Sequence, residues 1–138
     1  MPAKVVDASA IGALLFGEPE APVISAALEG KDMIAPSLIT FEITNICLKK
    51  LRKYPEHQAA IRSAYLLFFR MGIKKVEING PEVLTLAERT GLTAYDATYL
   101  WTAQELRIDL VTLDRALENV FLLARKNLSR VTKRGSKP

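Results

Sequence analysis

The chain reads as a single α/β domain, a central parallel β-sheet of about four or five strands flanked by helices on both faces. Three observations carry that expectation. Short apolar runs, Val5-Val6 and Leu110-Val111-Thr112-Leu113, are each followed by a stretch of helical periodicity. Strand and helix signals alternate along the chain instead of segregating, the pattern of parallel strands joined by helical crossovers. The length of 138 residues is enough for one hydrophobic core and too short for two ordinary domains.

The elements follow in order. Residues 4–7 form a first strand, and residues 8–16 a helix stopped by Gly17 and Pro19. Residues 21–29 form a second helix ending at Gly30, and residues 33–35 a short strand. Ser37 is a suitable N-cap for a long helix to about residue 53. Pro55 opens a helix that ends near Gly72, and residues 73–78 alternate as a strand does. Pro81 opens a helix ending near Gly91, and Thr93 caps another reaching about Arg107. Residues 109–113 read as a strand, 115–124 as a helix and 128–131 as a last strand. The one boundary in the sequence falls after Val131, giving a domain over residues 1–131 and a basic, flexible tail over 132–138.

Composition narrows the function classes. No run of 18 or more apolar residues is present, so no spanning helix is expected. The N-terminus enters an apolar strand directly, without a signal-peptide layout, and a cytoplasmic location is the expectation. The single Cys47 excludes an internal disulfide and a cysteine-rich zinc site. The net charge of +4 is uneven: residues 1–124 carry 13 Lys and Arg against 15 Asp and Glu, whereas residues 125–138 carry six bases and no acid. Such a tail is read equally as a nucleic-acid contact or as a solvated end.

Four acids, Asp7, Glu42, Asp96 and Asp114, carry the chemistry. Asp7 and Asp114 close apolar strands, and ligands of open α/β sheets bind beyond the carboxyl ends of strands. Asp96 shares a helical face with Leu100 and Ala103, and Glu42 sits at the edge of the stripe made by Ile39, Ile43 and Ile46. Each has a plain alternative. Asp7 and Asp114 suit helix caps, Thr93 to Asp96 matches a capping box, and Glu42 is placed to pair with Lys49 or another base or to bend out to solvent. As a set they point to a cation, because two carboxylates about 4 Å apart repel by roughly 4 kcal/mol at an effective dielectric near 20. Oxygen ligands of this kind suit Mg²⁺ or Mn²⁺.

Ser9 and Thr112, each two residues from an acid, are placed to orient a carboxylate or a bound water, or to close a local turn. Lys49, Lys50, Arg52 and Lys53 complement a helix C-terminus, and Lys49 and Lys53 share a side with Glu42, where phosphates would approach. Arg115 is read as a phosphate contact or a surface charge. His57 is expected to be exposed and Cys47 buried. The run Tyr65-Leu66-Leu67-Phe68-Phe69 is read as a deep core helix or as a surface that also packs on a partner.

Val5-Val6-Asp7-Ala8-Ser9, Phe41-Glu42, the stretch from Gly91 through Thr93-Ala94-Tyr95-Asp96 to Leu100, and Leu110-Val111-Thr112-Leu113-Asp114-Arg115 together resemble a PIN domain, most closely the VapC toxins of prokaryotic toxin–antitoxin pairs. The resemblance runs from Val5 to about Val131. It implies a Mg²⁺- or Mn²⁺-dependent endoribonuclease in which Asp7, Glu42, Asp96 and Asp114 are the acidic quartet and Ser9 and Thr112 its supporting hydroxyls. It further implies an RNA substrate, products bearing a 5′-phosphate and a 3′-hydroxyl, a VapB-like antitoxin partner and a homodimer, with no membrane. The basic tail lies outside the core pattern.

Rival readings remain. One is a PIN nuclease that processes RNA without an antitoxin. Another is a phosphotransfer domain, disfavoured because Asp7-Ala8-Ser9 is not Asp-x-Asp and no lysine ends a late strand. A third is a non-enzymatic nucleic-acid-binding module whose acids are only caps.

Overall fold

A computed structural model describes residues 2–135 in backbone and side chains through Asn127. Four parallel strands make one sheet: β1 (Ala3–Val6), β2 (Asp32–Pro36), β3 (Lys74–Val76) and β4 (Asp109–Val111), in the order β3-β2-β1-β4. Val5 pairs with Ile34 on one side and with Leu110 on the other, so β1 is an inner strand. Val5 and Val6 are fully buried, as the unbroken apolar run requires of a strand covered on both faces.

Helices α1 (Ala8–Leu15) and α2 (Ala21–Leu28) lie between β1 and β2. Helices α3 (Ile39–Lys53) and α4 (Gln58–Phe68), joined by a 3₁₀ turn at Pro55–His57, lie between β2 and β3. Helices α5 (Gly80–Thr90) and α6 (Ala94–Leu106) lead to β4, and α7 (Arg115–Gly135) follows it. The chain steps outward from β1 to β3, then returns to add β4 on the far side of β1. With right-handed crossovers, this reversal puts α1 to α4 on one face and α5 with α6 on the other. The packing agrees: α1 lies against α3 and α4, α5 lies on α6, and α6 lies on β1 and β2. The strand order reverses between β1 and β4, where α/β sheets open a crevice at their carboxyl edge.

The core is built from Val5, Val6, Ile11, Ile39, Ile43, Phe68, Tyr99, Leu100 and Leu117. Each large apolar side chain of this set contributes roughly 1.5–3 kcal/mol by leaving water. Helix α5 ends at Gly91, whose φ of 75° is a left-handed cap that lets its N–H reach Ala87 O. Arg107 takes the same conformation after α6, with φ 57°, and turns the chain into β4.

Several boundaries differ from the sequence reading. Residues 128–131, expected as a strand, are helical and belong to α7. Leu128 and Val131 continue the period of Leu117, Val120, Phe121 and Ala124, and no Gly or Pro intervenes before Gly135. The proposed boundary at Val131 therefore falls inside a helix, and residues 136–138 of the tail lie outside the described residues. Ser37 does not cap α3: its N–H donates to Val76 O, prolonging the β2–β3 pairing, and the N-cap is Leu38 with no side-chain bond. The Tyr65–Phe69 stretch is not a deep core helix. Ile61 and Phe68 are buried, but Leu66, Leu67 and Phe69 are more than half exposed. Among the described residues no single helix is long and apolar enough to cross a membrane.

Candidate active site

Asp7 follows the end of β1 and is 4% exposed. Its Oδ1 accepts from Ala10 N–H at 3.0 Å, which caps α1, and from Ser9 Oγ at 2.7 Å. Its Oδ2 accepts from Thr112 Oγ1 at 2.5 Å. The two hydroxyls also tie the neighbouring strand ends together. Ser9 Oγ accepts from Leu113 N–H at 2.9 Å, and Thr112 Oγ1 from Asp114 N–H at 2.9 Å. Asp114 caps the first turn of α7 through Leu117 N–H at 3.0 Å. Capping and convergence are thus not alternatives. The cap geometry fixes each backbone, and the strand order brings the capped ends side by side.

Thr93 Oγ1 caps α6 by accepting from Asp96 N–H at 3.1 Å. The returning bond of a capping box, from Thr93 N–H to the Asp96 carboxylate, is absent among the described residues. Glu42 comes from the opposite helix layer, on the first turn of α3. It makes no ion pair with Lys49; Tyr99 Oη donates to its Oε1 instead, at 2.5 Å. Asp7, Glu42, Asp96 and Asp114 line one cleft together with Ser9, Asn45 and Tyr99. All four sequence-predicted acids and Ser9 are therefore brought together, and Thr112 stands behind Asp7. Tyr99 and Asn45 join the site without a motif to mark them; the one signal in the sequence is that each lies three residues after one of the acids and so shares its helix face.

The electrostatics follow from burial without a counter-charge. Removal from water raises the pKa of Asp7, against the lowering effect of its three hydrogen bonds. Burial likewise raises Glu42, with Asp7 and Asp96 adding repulsion against the bond from Tyr99. Asp96 is raised by burial first, then by Asp114 and Asp7. Tyr99 is pushed far up by burial and by Glu42, so its hydroxyl stays a neutral donor. No Lys, Arg or His pairs with these acids among the described residues.

The donor set fits a hard divalent cation. It offers only oxygen, from four carboxylates; Cys47 is buried, with its thiol raised by that burial, and His57 is exposed beside Glu56. Among the described residues no three of the acids form a ready-made cage. Mg²⁺ retains several waters and takes one or two carboxylates directly, so a loose cluster meets its needs better than a closed shell.

Next to the cleft, a second hollow shares Ala8, Ser9 and Ile46 with it and is lined by Lys49 and Lys50, facing Glu18 and Glu20. Lys50 Nζ lies 4.7 Å from the centre of the Phe16 ring, while Lys49 is exposed. Arg115 is exposed as well.

Known proteins resemble the chain over most of its length. The chain is 29% identical over 122 residues to a curated protein of Pyrobaculum aerophilum, ribonuclease VapC3, an overlap of 85% of this chain and 93% of the relative. The crystal structure of PAE2754 from the same organism superposes with a TM-score of 0.63 at 26% identity, over 84% of this chain and 82% of that one. Mycobacterium tuberculosis VapC20, described as a sarcin-ricin loop cleaving toxin, superposes with a TM-score of 0.63 over 86% of this chain and 95% of that one. At 12% identity this last likeness concerns the fold alone. The PIN domain family model matches residues 4–121, nearly the whole described domain. The chain belongs to the PIN domain family.

Proposed function

We propose that this protein is a divalent-cation-dependent endoribonuclease and the toxin member of a toxin–antitoxin pair. The observation that carries the reading is the meeting of Asp7, Glu42, Asp96 and Asp114 in one cleft with no base among them in the described residues. Four carboxylates at the crossover point of an α/β sheet are a poor anion site and a good cation site. The relative named ribonuclease VapC3 supports both the reaction and the biological class.

Asp7, Asp96 and Asp114 are the proposed cation ligands, with Glu42 a further ligand or the group that orients the attacking water. Bound Mg²⁺ or Mn²⁺ would supply Lewis acidity and neutralise the charge of the phosphodiester. The chain's own contribution is placement. Ser9, Thr112 and Ala10 N–H hold Asp7 in one rotamer, and the caps at Asp7, Asp114 and Thr93 fix the three backbones that carry the ligands. Lys49, on the rim, is set to receive a phosphate of the RNA on the side of α3. The exposed Leu66, Leu67 and Phe69 are the proposed surface for protein contacts, with an antitoxin or with a second copy.

The test is Asp96→Asn. The purified variant should keep the fold and lose Mg²⁺-dependent RNA cleavage. A variant cutting RNA at the wild-type rate would end the assignment. A toxin's gene should sit beside a short open reading frame, and co-expression with it should rescue growth; without such a neighbour or without rescue, the reading as an RNA-processing nuclease lacking an antitoxin takes its place.

A further inference from the structure

One buried hydroxyl in the cleft belongs to none of the helix caps that hold Asp7, Asp96 and Asp114. Tyr99 follows Asp96 on α6, is 1% exposed, and reaches across the carboxyl edge of the sheet to Glu42 on α3. A phenol removed from water needs a partner for its O–H. It finds one in the Glu42 carboxylate. Glu42 Oε1 accepts from Tyr99, and Oε2 has no hydrogen bond among the described residues. Glu is a long side chain at the rim of a cleft and faces two like charges. With no fixed donor it gains by swinging into water.

We infer that Tyr99 is a positioning residue for Glu42: its hydroxyl pins Oε1 and leaves Oε2 for a ligand in the cleft. This rests on the reading of the cleft as a divalent-cation site. It adds that the fourth carboxylate acts only when a side chain from the opposite helix layer holds it. Asp7 is held by its own neighbours and the adjacent strand end; Glu42 is held by a single hydroxyl 57 residues away in sequence. Partners that orient a ligand typically change metal affinity by about 10–100-fold when lost.

The experiment is Mn²⁺ binding by the whole protein without RNA, read from the electron-paramagnetic signal of free Mn²⁺, for wild type, Tyr99→Phe, Glu42→Gln and the double variant. Tyr99→Phe should bind Mn²⁺ about 10–100-fold more weakly. In the Glu42→Gln background the same change should cost little, since the group it positions is already gone. A purely structural Tyr99 would lower the melting temperature and leave Mn²⁺ affinity unchanged, or would weaken binding equally in both backgrounds. Either result overturns the inference. Wild-type protein that binds no Mn²⁺ removes the cation reading and this inference with it. Wild type that binds, beside a Tyr99→Phe that binds equally, removes this inference alone. If Tyr99→Phe does not fold, the hydroxyl proton of Tyr99 in the wild type carries the test. It should resonate far downfield and shift as Mg²⁺ is added; a resonance unmoved by saturating Mg²⁺ overturns the inference.

Discussion

Strand β4 opens on an acid, Asp109, both β1 and β4 run out into acids, Asp7 and Asp114, and the two ends of this strand pair treat their acids differently. At the amino end, Asp109 accepts from Lys4 Nζ at 2.9 Å and from Arg125 Nη1 at 2.6 Å. Its pKa is lowered, first by the bond from Lys4. At the carboxyl end, Asp7 and Asp114 meet Glu42 and Asp96, and among the described residues no base is paired with any of them. Burial raises Asp7, Glu42 and Asp96 instead. A fold that needed only to be stable would neutralise both ends as it neutralises the first. The unpaired end marks where a charge from outside is expected, and it coincides with the crevice that the strand order opens.

The largest expected effect tests whether that end is the reacting one. Asp96→Asn should reduce Mg²⁺-dependent RNA cleavage by more than about 100-fold, since loss of a mere supporting partner already costs a metal site about 10–100-fold. The readout is product formed on labelled RNA, with the melting curve as a check on folding.

Next comes the stability of the protein freed of cations. A carboxylate whose folded pKa is raised contributes stability that is fully present below its unfolded pKa and lost as pH rises through the folded one. Asp7, Glu42 and Asp96 are all raised, so in the presence of chelator the cluster should weaken the fold as pH climbs from the ordinary carboxylate range toward neutral. Mg²⁺ should reverse the loss at neutral pH, by about 2.7 kcal/mol at a hundredfold excess over its Kd. Asp96→Asn should flatten the chelated pH profile and shrink the Mg²⁺ effect. Thermal melts across pH, with chelator and with Mg²⁺, measure all of this. A chelated wild type that gains stability toward neutral pH in parallel with Asp96→Asn would mean that the acids are already neutralised from within.

How far the sequence could anticipate this contrast depends on the range of the forces involved. The strand-end acids were legible because capping and periodicity act over a few residues. Asp7 and Asp114 sit where an apolar run gives way to a helix, and that junction is both a cap and a sheet edge. The Tyr99–Glu42 bond was not legible, because its partners meet only after two crossovers are complete. Ser37 misled for a related reason: a good capping residue lost its place when the sheet claimed its backbone N–H. The apolar run at Tyr65 to Phe69 showed that a helix was there, but not which side the rest of the domain would leave bare. Residues 128–131 show the reverse error, in which a short apolar run taken alone concealed the longer helical period it belongs to.

A smaller effect is expected at the rim. Lys49→Ala should weaken RNA binding while leaving the cleavage rate at saturating RNA unchanged, because Lys49 lines the neighbouring hollow and not the acid cleft. One phosphate contact on single-stranded RNA accounts for about 0.7 in the slope of log affinity against log salt. Binding of a single-stranded RNA at several salt concentrations, with Asp96→Asn as a cleavage-silent background, reads that slope. An unchanged slope would move the RNA path away from α3.

The smallest effect belongs to the paired end. Asp109 is 41% exposed in its side chain, so its ion pairs are screened by water and salt, and such pairs contribute at most about 1 kcal/mol. Its sign is opposite to that of the cleft acids. A lowered carboxylate contributes stability above its unfolded pKa and loses it as pH falls through the folded one. Asp109→Asn should therefore lower the melting temperature slightly at neutral pH, have no effect once the carboxylate is protonated, and leave both Mg²⁺ stabilisation and RNA cleavage as in the wild type. The two ends would then be separable, one neutralised by its own lysine and arginine and one by a ligand. An Asp109→Asn protein that lost cleavage while keeping its melting temperature would instead couple them through β4, whose last residue, Val111, hands its carbonyl to Asp7 N–H at 3.3 Å.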